Sequence, residues 1–137
     1  MSKPLGFNLE VPLPFEAAAT RVREALKREG FGILTEIDLR AAFREKLGRD
    51  FRPYTILGAC NPPLAFDAIT ADPSVGLLLP CNVTVEWISD GHTGVRLTDP
   101  EALLSTVVLK GAPELASVAH DARQRMLRVA ASLSEPG

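Results

Sequence analysis

Cys81-Asn82-Val83-Thr84-Val85-Glu86-Trp87-Ile88-Ser89-Asp90-Gly91 is the stretch that decides the fold of this chain. Cys81, Val83, Val85 and Trp87 alternate with Asn82, Thr84, Glu86 and Ile88, which is the two-residue period of a strand with one face on a core. Asp90-Gly91 then signals a tight hairpin turn, so a return strand is expected from about Gly94 to Thr98. An antiparallel pair needs further elements to cover its apolar face, and the flanking sequence supplies them.

On the N-terminal side, Phe7, Leu9, Val11 and Leu13 repeat with the same period, and Pro12 suits the end or edge of a sheet. Pro14 is expected in the first turn of a helix whose Phe15, Ala19, Val22 and Leu26 share one stripe, with Gly30 as its stop signal. Phe31 to Ile37 reads as a second strand. Asp38 then caps a short helix that carries Leu39, Phe43 and Leu47 and closes at Gly48. Thr55 to Cys60 reads as a short buried strand, and Asn61-Pro62 as N-cap and first position of a helix to about Ala71. Beyond the hairpin, Asp99-Pro100 opens a short apolar helix to Val108. A long final helix, Pro113 to Leu133, sets Leu115, Val118, Ala119, Ala122, Met126, Val129, Ala130 and Leu133 on one face. The expectation is α+β: one mainly antiparallel sheet, covered by helices on one face, with a long C-terminal helix over it.

Composition sets the outer limits. The chain has 137 residues, the length of one domain, so residues 1–137 are read as a single domain with an ordered core of about 7–133. With 46% apolar residues, 23% charged residues and a net charge of -2, it falls in the ordinary globular range. Nine of the 15 Lys and Arg residues lie between Arg21 and Arg52, but acidic residues in the same window offset most of them, so no nucleic-acid partner is expected. The first residues lack the apolar run of a signal peptide, and no stretch approaches the ~18 apolar residues of a membrane helix. A cytoplasmic location, no membrane partner and reduced thiols are therefore expected.

Only two cysteines are present, each in a Cys-Asn step tied to proline: Gly58-Ala59-Cys60-Asn61-Pro62-Pro63 and Leu79-Pro80-Cys81-Asn82-Val83. Cys60 ends a strand just before a helix start, where the positive end of the helix dipole favours thiolate. Cys81 begins the next strand. If the two strands are antiparallel neighbours, Cys60, Asn61, Cys81 and Asn82 meet at one sheet edge, with Cys60 and Cys81 as candidate reactive groups and the Asn amides as ligand donors. Against this, buried cysteine is an ordinary core residue and Asn61 has a sufficient role as a helix cap. Glu36 and Asp38, two apart on a strand, could share a face as an acid-base or ligand-binding pair; equally, Asp38 caps the next helix and Glu36 pairs with a nearby Arg. No metal site is expected, since His92 and His120 show no ligand spacing with the cysteines. Trp87, Tyr54 and Phe66 are candidates for stacking on a ligand or for the core. No phosphate-binding glycine loop, nucleophile elbow or zincin helix occurs, and no cofactor is implied.

Three blocks, Glu29-Gly30-Phe31-Gly32-Ile33-Leu34-Thr35-Glu36-Ile37-Asp38, Leu57-Gly58-Ala59-Cys60-Asn61-Pro62-Pro63-Leu64-Ala65 and Gly76-Leu77-Leu78-Leu79-Pro80-Cys81-Asn82-Val83, follow one another in an order that resembles the family called domain of unknown function 302. The resemblance runs from about Leu9 to Leu133. It implies a curved antiparallel sheet with a long C-terminal helix, in the TBP-like group of folds, and a homodimer, but no activity. Relatives often carry histidine where this chain has Phe66. The resulting expectation is a small-molecule or partner-binding module rather than a catalyst, with a Cys/Asn-lined site at one sheet edge. The alternative is a thiol-dependent enzyme or sulfur carrier using Cys60 and Cys81, and a third reading is an interaction module with Val107-Val108-Leu109 as dimer contact.

Overall fold

A computed structural model of the chain describes residues 5–108 and 113–135. Five strands, β1 (Gly6–Val11), β2 (Gly32–Asp38), β3 (Tyr54–Cys60), β4 (Cys81–Ser89) and β5 (His92–Thr98), form one sheet in the order β1-β5-β4-β3-β2. Every neighbouring pair is antiparallel. The hairpin read from Asp90-Gly91 is present, with Gly91 at φ +81° in the left-handed region that glycine tolerates. The register shifts between Trp87 and Ser89, and again between Ile33 and Thr35. Each shift is a bulge of the kind that increases local twist.

Two helices cover one face of the sheet: α1 (Phe15–Arg28) and α5 (Pro113–Ser134). Ala19, Val22 and Leu26 of α1 meet Met126, Val129 and Leu133 of α5 over Leu57, Val83, Val85, Val95 and Leu97 of the sheet. These are the inward residues of the period-2 and period-3.6 patterns, and burying a Leu or Val side chain contributes roughly 1.5–3 kcal/mol. Pro14 precedes α1 as its N-cap, at φ -59° and ψ 156°, rather than lying in the first turn, and its carbonyl accepts the first helical bond from Ala18 N at 2.9 Å. Proline fixes only φ, and here the extended ψ keeps the residue outside the helix. At the other end Gly30 (φ +84°) donates to Lys27 O and Phe31 donates to Leu26 O, both at 3.0 Å. This is a Schellman stop, sealed by the apolar pair Leu26 and Phe31 in the core.

α2 (Leu39–Leu47) starts at Asp38, whose Oδ1 accepts from Ala41 N at 3.0 Å, and it has no buried residue. Its Leu47 is 64% exposed, contrary to the apolar stripe read from sequence. The helix is only 9 residues long, and its Phe43 instead packs edge-on against Phe51 with ring centroids 5.3 Å apart. α3 (Pro62–Ala71) and a 3₁₀ turn (Pro73–Leu78) follow β3, and α4 (Pro100–Val108) follows β5. Together with α5 they build a second apolar cluster around Ala68, Val75, Leu104, Leu115 and Ala119. Among the described residues no helix is long and apolar enough to cross a membrane. The side chains of Val107, Val108 and Leu109, expected as a dimer contact, lie outside the described residues.

Candidate functional site

β3 and β4 are neighbours, and Ala59 is the register partner of Cys81. The C-terminal end of one strand therefore meets the start of the other, as the two Cys-Asn steps require for a shared site. An apolar cavity of about 40 Å³ opens there, beneath α3 and against α4 and α5. Cys60, Asn61 and Cys81 line it, with Phe31, Leu64, Ala68, Leu104 and Val118 among the apolar walls. Asn82 does not. It pairs with Gly58 on the other side of the pleat and is exposed, and its carbonyl accepts a hydrogen bond from Thr98 Oγ1 at 2.5 Å.

Asn61 contributes structure more than free donors. Its Oδ1 accepts from Leu64 N at 3.3 Å, capping α3, and its Nδ2 donates to Glu29 O at 3.4 Å. Arg125 of α5 donates to the same Glu29 carbonyl at 2.9 Å, so this one oxygen ties the end of α1 to the start of α3 and the middle of α5. Both cysteines are free thiols. Burial pushes the Cys60 thiol up from its ordinary value, and burial together with the nearby Cys60 pushes Cys81 up to about 11. The direction is opposite to that expected from the start of α3: in an apolar wall, the cost of desolvating a thiolate outweighs the helix dipole.

Glu36 stands elsewhere. It pairs with Arg23 of α1, and together with Asp38 it lines a separate polar cleft between α1 and the Asp38 end of β2. His92 contacts Ser89 Oγ at 3.4 Å and His120 pairs with Glu101 at 2.8 Å. Among the described residues no group of three or more His, Cys, Asp or Glu could hold a metal ion. Phe66 is 71% exposed on α3, whereas Tyr54 extends the Phe43–Phe51 aromatic chain and borders the polar cleft.

The sheet face away from α1 and α5 holds a constellation that the strand alternation signalled but sequence alone did not connect. Glu86 accepts from Arg52 Nε at 2.6 Å and from Arg96 Nη1 at 2.7 Å, and the residue is only 7% exposed. Burial alone pushes its carboxyl up, but the bonds and charges of Arg96 and Arg52 outweigh that and hold it below the usual value. Two residues earlier, Thr84 has a buried Oγ1 with no partner. Of the nine basic residues between Arg21 and Arg52, four form ion pairs among the described residues: Arg23 with Glu36, Arg28 with Glu24, Arg44 with Asp50 and Arg52 with Glu86.

The fold and these sites define a small α+β domain with an open antiparallel sheet and a small apolar cavity at one sheet end. The chain belongs to the family described as domain of unknown function DUF302, whose model matches residues 7–133. It is similar to a crystal structure of an uncharacterised conserved DUF302 protein from Bacillus stearothermophilus, with 30% identity and a TM-score of 0.79, covering 96% of this chain and 97% of that one. No curated protein matches the sequence.

Proposed function

We propose that this chain is a small-molecule or partner-binding module that holds an apolar group of its ligand in the cavity lined by Cys60 and Cys81. The observation that carries this reading is a cavity whose polar residue, Asn61, is already committed to capping α3 and to Glu29. What remains to meet a ligand is hydrocarbon and two protonated thiols, a surface suited to a short branched alkyl or comparable group of a few heavy atoms. The raised thiols count against Cys60 as an attacking thiolate, so binding is favoured over sulfur transfer. The reading includes a cytoplasmic setting, supported by two neighbouring unpaired cysteines. It also includes a homodimer, supported by β2, an edge strand that exposes Leu34 and Ile37 at 66% and 46%.

Methyl NMR of the protein titrated with short branched alcohols and ketones tests the cavity, with Ala68→Val as a filled variant. Saturable shifts at Leu64, Leu104 and Val118 that vanish in Ala68→Val are expected. Absence of saturable shifts, or shifts that persist in the filled variant, would overturn the reading.

A further inference from the structure

The polar cleft at the other end of β3 is independent of that cavity and much larger. Its volume is about 430 Å³, within the range of roughly 300–1,000 Å³ typical of small-molecule sites. Phe15, Ala19 and Pro53 give it an apolar floor, and its rim is charged. Most of that charge is committed: Arg23 pairs with Glu36, and Asp38 Oδ1 accepts from Ala41 N at the start of α2. Among the described residues, Arg40 and Glu16 bound the same cleft with no ion pair, and the Tyr54 and Thr55 hydroxyls there carry no hydrogen bond.

Asp38 keeps its charge without an ion pair but is turned to the start of α2, so the groups left to meet a ligand are Arg40, Glu16 and two hydroxyls over an apolar floor. α1 also begins at this cleft, and because its N-cap is Pro14 no side chain caps its first N–H groups. Free N–H groups at a helix start favour a carboxylate. A ligand with a single charge would leave either Arg40 or Glu16 unmatched in the cleft, whereas one carrying both charges matches each.

We propose that this cleft binds a small zwitterion of the α-amino acid class. Arg40 and the first turn of α1 receive the carboxylate, Glu16 receives the ammonium group, and an apolar side chain rests on Phe15 and Pro53. The proposal does not depend on the cavity at the cysteines.

Titration with L-leucine and L-phenylalanine, followed by backbone NMR and calorimetry, provides the test. Saturable shifts centred on Glu16, Arg40, Tyr54 and Thr55 are expected. The N-acetyl derivative, which lacks the cation, and the amide, which lacks the anion, should each bind about tenfold or more weaker. Arg40→Gln and Glu16→Gln should weaken the free amino acids by a similar factor; both residues are exposed, and unchanged spectra elsewhere will show that the fold is intact. Ala68→Val should have no effect, which separates this site from the apolar cavity. Absence of saturable binding by either amino acid, equal binding of a singly charged derivative, or indifference to both Gln variants would each overturn the proposal.

Discussion

Replacing Glu86 by Gln should cost the fold about 2 kcal/mol at neutral pH, and the loss should fade in acid. A hydrogen bond to a charged group contributes roughly 1.5–3 kcal/mol when enclosed, while an exposed ion pair contributes about 0–1. Here the carboxylate side chain is 10% exposed, but the guanidiniums of Arg52 and Arg96 are 46% and 49% exposed. Solvent screening on the arginine side brings each bond to roughly 1 kcal/mol, and Gln both loses the charge and turns an amide donor towards one arginine. For a domain of this size the change corresponds to a melting temperature lower by roughly 8 °C. Because the folded carboxyl lies below its unfolded value, its contribution is complete above the unfolded value of about 4.3 and is lost as pH falls through the folded one. Thermal melts of both proteins from pH 7 down to about pH 2 should therefore show two curves converging below about pH 4. Equal stability at pH 7, or a gap that persists undiminished in acid, would refute the assignment of a stabilising, ionised Glu86.

Three further outcomes follow from individual contacts. Thr84→Val removes a buried hydroxyl that has no partner while keeping its shape, so chemical denaturation should find the variant as stable as the parent or more stable by up to about 1 kcal/mol. Gly58→Ala would place a Cβ 2.1 Å from Thr35 Oγ1 and 2.7 Å from Pro80 Cγ, and the overpacking should cost about 2 kcal/mol by the same assay, with Thr35→Ala in the same chain restoring part of it. With its thiol pushed up to about 11, Cys81 should react roughly 100-fold more slowly with an alkylating reagent at pH 7 in the native protein than after unfolding, and peptide mass spectrometry resolves it from the more accessible Cys60.

Local order was legible in the sequence because local rules produce it. The alternation from Cys81 to Ile88, the Asp90-Gly91 turn, the Asn61-Pro62 helix start and the α5 stripe from Leu115 to Leu133 all correspond to elements of the structure. Side-chain period and capping chemistry depend on neighbours a few residues away. The family blocks added an antiparallel sheet, while the adjacency of β3 and β4 that brings Cys60 and Cys81 together is given by the structure. Pro14 lies outside α1 because proline fixes only φ and its ψ is extended, and Leu47 is exposed because little packs against the short α2; periodicity reports neither.

What only the tertiary structure decided is the electrostatic environment of each candidate group. A cysteine beside a helix start reads as activated until its walls are known; burial in an apolar wall reverses the sign for Cys60 and raises Cys81 as well. Glu86 looked like one polar residue on an outward strand face, yet its arginines come from 34 and 10 residues away. Spacing set Glu36 and Asp38 two apart on one strand, but only the packing of α1 against the sheet set them beside Arg23, Arg40 and Tyr54 in one cleft. Burial and charge pairing are properties of the assembled chain, because they depend on distances that sequence separation does not fix.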